Sequence, residues 1–396
     1  MEYFKSLPVE IALEILTGLP IESVLGCKLV SKTWRNLVLH PSFSKMHFHH
    51  HLLNPDSDSG KLSFLAMTRS EIGNNENFQY FEYNQDNEST PIESIRRINL
   101  ISPFIDTRIV GSCNGLICLA SGGTSLKVRP HCICNPITKE YVLLPEIRIN
   151  CNISQYIVSM SGFGYVSSTN EYKVVGMFML KKTHLLEVHI YTLGSGFGWR
   201  NIGNFDCHIN NCSWQHRQGI FANGALCWLK LKNDISEIIA FDLSQEIFCE
   251  NLLTPPSPPE SYSLGNRIGV LDGVFFFAIC SVIQGVVSYD VWLLKKKNGN
   301  HDMKDQGEEH QSFIWSREFE IYDIELLAIT KSDGVLCLWD NYLNFYDLKA
   351  ATSKWLVDLK KLVVQVLPHK NTLVSLKELG EEGTKTMESI EAMISH

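Results

Sequence analysis

The residues able to do chemistry are dispersed. Twelve cysteines lie along the 396 residues, and none falls in a CxxC pair. Cys113, Cys118, Cys227 and Cys337 each sit beside a turn between apolar runs. A thiol there attacks only as a thiolate, and the spacing nominates no histidine to make one. Small buried thiols are the reading, and Cys132 and Cys134 share one face of a strand. HFHHHLL (47–53) bunches four histidines without cysteine or carboxylate company at ligand spacing, so a polar junction is expected rather than a zinc site. GSGFGW (194–199) lacks the strand–helix context of a dinucleotide site and reads as a tight turn beside Trp199. Asp323 and Glu325, two apart, share a strand face and read as solvated rather than as a glycosidase pair. Trp214, Trp228 and Trp339 could stack on sugars, but Trp228 and Trp339 sit in apolar runs and are expected in the core. GxxxxGK[ST], GxSxG and HExxH do not occur. The expectation is no catalytic residue, no metal and no cofactor.

Composition bounds what remains. Hydrophobic residues make up 44% and charged residues 20%, a globular balance with ample material for a core. A net charge of -8 opposes a nucleic-acid sheath, which needs a basic face. The opening MEYFKSLPVEIALEIL lacks the basic and apolar regions of a secretory signal. The most apolar stretch is broken by Asp272, Gln284, Asp290 and glycines, so consecutive strands are expected there, not a membrane span. Unpaired cysteines suit a reducing compartment, cytoplasmic or nuclear, where sequons at Asn87, Asn152 and Asn211 stay bare.

The first fifty residues carry a helical period. Pro8 suits a first helical turn, and Ile11, Ile15, Leu16 and Leu19 follow before Gly18 and Pro20 stop the helix. A short second helix is expected across Glu22–Cys27, and Ser31 caps a third that carries Trp34, Leu37 and Val38 and ends at Pro41. Three short helices expose more apolar surface than they can bury alone. Either the body packs on that surface or a foreign subunit does. Lys28, Lys32 and Arg35 fall at helical spacing and would suit an acidic partner or a solvated face equally.

Beyond His51 short β-like runs take over. GSCNGLICL (111–119), GIFANGALCWL (219–229), IGVLDGVFFF (268–277) and LAITKSDGVLCLW (327–339) each place Asn-Gly or Asp-Gly between apolar runs, a hairpin signal resting on the positive φ of a type I′ turn. GFGYVSSTNEYKVVGM (162–177) supplies a further hairpin. Second elements follow in ICNPITKEYVLLP (133–145), EVHIYTLGSGFGWRNIG (187–203), IIAFDLSQEIF (238–248) and LNFYDLKAATSKW (343–355). A period of about 50 residues with four strands per unit predicts a β-propeller of about six blades. A β-sandwich is the rival architecture. Tyr191 with Trp199 and Tyr346 with Trp355 stand near a kelch spacing, and KKKNGNHDMKDQGEEHQ (295–311) reads as an exposed loop.

Leu-Pro-x-Glu, Ile-Leu-x-x-Leu-Pro, Leu, Val-x-Lys-x-Trp and Pro-x-Phe over residues 7–48 resemble the F-box. GSCNGLICL, NPITKEYVLLP, GFGYVSSTNEYKVVGM, NGALCWL, IIAFDLSQEIF and YDVWLLKK resemble, in order, the kelch-like F-box-associated domain of plant F-box proteins, including S-locus F-box-like proteins. The resemblance implies a mainly β chain with a small α N-terminal domain. A three-helix F-box (1–50) would precede a kelch-like β-propeller (51–379) and an acidic flexible tail (380–396). It also implies a non-catalytic adaptor of a Skp–cullin–F-box ubiquitin ligase. Leu7, Pro8, Ile11, Leu16, Leu19, Pro20, Leu25, Val30 and Trp34 would bind the Skp-type linker and, through it, a cullin–RING ligase. The propeller would hold a target protein, with no nucleic-acid or membrane partner. The contrasting expectation is a propeller binding module or hydrolase, for instance glycan-binding, whose N-terminal helices only pack.

Overall fold

The computed structural model describes residues 7–40, 42–53, 60–69, 76–87, 91–92, 94–104, 106–122, 130–148, 156–206, 212–214, 217–249, 252–257, 265–296, 313–322 and 325–387. Four helices come first: α1 (Val9–Thr17), α2 (Ile21–Val30), α3 (Lys32–Val38) and α4 (Phe43–Leu53). Pro8 precedes α1, and the helix closes with the Gly18 N–H on the Glu14 carbonyl and the Leu19 N–H on the Leu16 carbonyl. Ser31 caps α3, its Oγ accepting from the Trp34 N–H at 3.2 Å. The fourth helix corrects the three-helix expectation, because the histidine run is helical. Its partners are tertiary. Phe43 is buried, its ring lies 5.8 Å from that of His47, and His47 Nε2 donates to the Leu19 carbonyl at 3.1 Å.

Among the described residues the strands fall into six antiparallel sets of four, the third and fourth joined edge to edge. The first holds β1 (Lys61–Arg69), β2 (Glu76–Asn84) and β3 (Ile95–Ile98). The second holds β4 (Thr107–Cys113), β5 (Leu116–Ser121), β6 (His131–Cys134) and β7 (Glu140–Leu143). The third holds β8 (Tyr156–Val166), β9 (Glu171–Leu180), β10 (Leu186–Thr192) and β11 (Trp199–Phe205). After the short β12 (Cys212–Trp214) come β13 (Gln218–Ala222), β14 (Ala225–Lys232), β15 (Ile235–Asp242) and β16 (Ile247–Phe248). The fifth holds β17 (Arg267–Leu271), β18 (Val274–Ile283), β19 (Val286–Lys296) and β20 (Phe313–Tyr322). The sixth holds β21 (Glu325–Ile329), β22 (Gly334–Trp339), β23 (Tyr342–Asp347) and β24 (Thr352–Asp358). β25 (Leu362–Pro368) returns to β1 and completes the first unit, and β26 (Lys385–Thr386) is added beside β7.

The turn chemistry read from the sequence holds at three of its four sites. Asn114-Gly115, Asn223-Gly224 and Asp272-Gly273 all adopt positive φ at both residues. At the fourth, Gly334 is already in β22, and a longer turn ends on Asp333 (φ 56), closed by the Thr330 N–H on the Gly334 carbonyl at 2.9 Å. A second turn recurs in the outer hairpins. Asn135, Asp242 and Asp347 each accept two backbone N–H groups through Oδ1, as an Asx turn does. Each is followed four residues later by a positive-φ residue: Lys139, Glu246 and Ala351. The NPITKE, DLSQE and DLKAA runs thus encode one turn three times.

Two compact units emerge. One comprises the helices, the first two sheets, Tyr191–Arg200 and the chain from Lys361; the other comprises Ile149–Ile190 and Asn201–Lys360. In the first, Leu65, Met67, Phe78, Ile109, Leu119 and Met387 share a core. In the second, β8 and β13 run parallel with Gly162 opposite Gly219. A Cβ on Gly219 would stand 2.5 Å from the Trp228 ring, so only glycine admits that indole. Lys173 of the NEYKVVGM run is buried there, donating to the Leu243 carbonyl at 2.8 Å and pairing with Glu246 at 2.9 Å.

Two expectations are corrected, and a third falls outside the described residues. The acidic tail is ordered through Met387: Glu381 and Met387 are buried, and β26 is paired. Tyr191 and Trp199 meet, with ring centroids 5.5 Å apart, but Trp355 packs on Tyr342 at 4.5 Å rather than pairing with Tyr346. Residues 297–312, the bulk of the expected polar loop, lie outside the described residues.

His369, just after β25, gives the first unit a pH dependence. Its ring is fully buried 2.8 Å from Ser112 Oγ, and burial pushes its pKa from 6.5 to about 4. The unfolded chain therefore binds the proton first as pH falls. Stability attributable to His369 is complete above about pH 6.5 and is lost on acidification towards pH 4, amounting to about 3 kcal/mol. Urea midpoints measured across that range should show this slope in the parent and a flatter one in His369→Gln.

Candidate docking surface on the helical head

The four helices build one small core and leave a second apolar surface outside it. Leu13, Leu16, Ile21, Val24, Val38 and Phe43 are buried together, with Cys27 between them. From the far end of the chain Leu373 enters this cluster, and Ile137 packs at its edge. On α1 the inward arc is Ala12, Leu13, Leu16 and Thr17. Ile11 and Ile15, one turn apart, form a different stripe that faces solvent, Ile11 at 43% exposure. Leu7, Pro8 and Val9 precede it in the open. The C-terminal end of α2 adds Val30 and Leu29, the latter 89% exposed.

Of the nine residues expected to meet a linker, Leu7, Pro8, Ile11, Pro20 and Val30 are exposed. Leu19, Leu25 and Trp34 are half-buried, with one side against the helical core. Leu16 is the correction. It is fully buried and belongs to the fold of the head, because its arc of α1 is the one covered by α4, α2 and Leu373. Val9, Ile15 and Leu29, outside that set, are exposed as well. The four-residue spacing of Ile11 and Ile15 was the available signal, since it lies off the arc that Leu13 and Leu16 share.

Glu10 and Glu14 are exposed beside Ile11 and Ile15, and the positive groups come from α2 and α3. Lys32 and Arg35 are exposed and Lys28 half-buried. Burial, and then the Arg35 guanidinium, hold Lys28 below the usual lysine pKa. Like charges this close favour an incoming anionic group.

The other chemical candidates are placed elsewhere. Burial pushes the Cys113, Cys227 and Cys337 thiols up to about 12, so these three carry almost no thiolate at neutral pH. Among the described residues no group of three or more His, Cys, Asp or Glu could hold a metal ion. Gly194, Gly196 and Gly198 of GSGFGW all have positive φ, the backbone of a turn. Glu325 is exposed, and Asp323 lies outside the described residues. Trp228 is in the core as expected. Trp339 is not: the last residue of β22, it is 51% exposed beside Trp355. The side chain of Trp214 lies outside the described residues. No helix among the described residues is long and apolar enough to cross a membrane.

The exposed residues coincide with a known segment. Residues 4–49 match the F-box-like family, and residues 62–302 match the F-box associated beta propeller domain. The chain belongs to the F-box proteins that carry an F-box associated beta propeller domain. An F-box protein of Arabidopsis thaliana is 28% identical over 256 residues, covering 62% of this chain and 58% of its own length. An F-box/kelch-repeat protein of the same plant is 28% identical over 247 residues, covering 62% of this chain and 65% of its own. A third Arabidopsis F-box protein, 25% identical over 369 residues, covers 86% of this chain and 78% of its own. The chain thus spans less than two thirds of the first of these relatives. Within this F-box protein the exposed residues Ile11, Ile15, Leu29 and Val30 fall inside the F-box-like match, whereas Leu373 lies beyond both matches.

Proposed function

We propose that the chain is the target-recognition adaptor of a Skp–cullin–F-box ubiquitin ligase. The observation that carries this reading is the exposure of Leu7, Val9, Ile11 and Ile15 at α1 and of Leu29 and Val30 at the end of α2. A head of four short helices that already packs one face on Leu373 and Ile137 still leaves these residues in water, which favours a protein partner. The head, residues 1–50, docks the Skp-type linker and through it a cullin–RING ligase. The sheets from residue 51 onward hold a target protein and promote its ubiquitination and degradation. The adaptor supplies no catalytic group. Tethering a target lysine near a charged ubiquitin-conjugating enzyme raises its effective concentration to the order of millimolar. Lys28, Lys32 and Arg35 speed the encounter with an acidic linker surface.

Co-expression with a plant Skp-type linker tests this. The expected result is a soluble one-to-one complex by gel filtration and self-association of the chain expressed alone. A stable monomer that retains no linker would overturn the reading.

A further inference from the structure

The segment His369–Met387 lies outside both family matches and adds only the short β26 to a sheet, yet it is tied down along its whole length. The His369 N–H donates to the Ser63 carbonyl at 2.9 Å. Thr372 Oγ1 donates to the Asn114 carbonyl at 2.9 Å, in the β4–β5 turn, where Gly115 leaves no room for a Cβ beside Thr372. Asn135, fully buried in the β6–β7 hairpin, donates through Nδ2 to the Thr372 and Val374 carbonyls at 3.0 and 2.8 Å. Its Oδ1 meanwhile accepts from the Ile137 and Thr138 N–H groups, so one amide uses all its capacity. Glu140 accepts from Ser375 Oγ at 3.0 Å and the Leu376 N–H at 2.7 Å. Glu381 accepts from the Gly194 N–H at 2.8 Å, and the Met387 N–H reaches the Lys139 carbonyl at 3.0 Å.

The clasp has a specific product. Asn135 grips the carbonyls on either side of Leu373, and the Leu373 side chain stands in the core of the helical head with Leu16, Val24 and Phe43. Ile137, from the turn that the same asparagine organises, packs against that core. A second tie comes from α4, where Ser44 Oγ donates to Glu378. The strap therefore seats the head by packing and by hydrogen bonds, on the sheet that anchors the strap itself. A head joined only through residues 54–59 would have its orientation set by that short linker instead.

We propose that this strap, with Leu373 as its positioning residue and Asn135 as the clasp that presents it, fixes the orientation of the helical head on the sheets of its own unit. In the adaptor reading, on which this last step rests, that orientation determines which lysines a ligase bound to the head can reach. Leu373 is not one of the exposed residues, so linker affinity and head orientation are separable.

The test compares the full chain with Leu373→Asp, Leu373→Met and Asn135→Ala by hydrogen exchange and by mapping self-ubiquitination sites in a reconstituted ligase. Peptides from α4 and from 369–387 should exchange at least ~10-fold faster in Leu373→Asp and Asn135→Ala, with β1 and β9 peptides unchanged. Leu373→Met should restore parent behaviour. Linker affinity should stay within ~3-fold in Leu373→Met and Asn135→Ala, while self-ubiquitination spreads from a few lysines to many in Asn135→Ala. Unchanged exchange in α4, or acceleration throughout the sheets, overturns the strap proposal. So does an unaltered lysine pattern with a loosened head. Failure of the parent chain to bind the linker sinks the adaptor reading, and the exchange data still judge the strap.

Discussion

Replacing Ile11 and Val30 together with aspartate is expected to lower affinity for a Skp-type linker by about 100-fold or more while leaving the melting temperature within about 2 °C of the parent. Ile11 and Val30 are 43% and 52% exposed and lie outside the buried core of the head, so the folded chain alone loses little burial when they become charged. In the complex each would place a carboxylate against apolar surface, and two lost anchors at about 2 kcal/mol each exceed two decades in affinity. Leu16→Ala is the contrasting variant. Its side chain is fully buried among Leu13, Val24, Phe43 and Leu373, so it should cost the head about 2–5 kcal/mol of stability. Linker binding would then fall through unfolding of the head. Calorimetric titration combined with thermal melts separates the two mechanisms. Parent-like affinity in the aspartate pair would refute the docking surface as drawn.

Gly194→Ala is expected to destabilise the first unit by about 3 kcal/mol or more, against about 1 kcal/mol for Gly196→Ala. Both glycines have positive φ, +74 and +73, so the conformational penalty is shared. What differs is the surroundings. A Cβ on Gly194 would stand 1.7 Å from the Leu379 carbonyl oxygen, a backbone atom, whereas nothing lies within 4 Å of one on Gly196. Retreat is blocked, because the Gly194 N–H donates to Glu381 at 2.8 Å and the Tyr191 hydroxyl donates to the same carboxylate at 3.2 and 3.1 Å. Moving the backbone would leave a buried carboxylate short of donors. Paired urea denaturations check the difference. Equal losses in the two variants would mean that the strap yields freely at Leu379.

These two variants mark where sequence reasoning stops. Asn114-Gly115, Asn223-Gly224 and Asp272-Gly273 announce their hairpins because positive φ at successive residues is a local demand that few residue pairs meet. The ordered apolar and proline positions from Leu7 to Phe43 announce the F-box in the same local way. Periodicity on α1 shows two apolar stripes, but it does not say which one the body covers. That depends on Leu373, which arrives from the other end of the chain. Residues 380–387 look like a polar tail because their anchors, Gly194, Tyr191 and Lys139, are remote in sequence. Trp339 reads as core from its apolar neighbours, yet at the end of β22 it is exposed.

The sequence by itself determined that short strands would pair into repeated four-stranded units behind a helical head, because turn and capping chemistry act over a few neighbouring residues. Only the tertiary structure decided which oily face of that head stays open and how firmly the head is seated. Both depend on burial, and burial is settled by whatever chain segment the fold brings alongside.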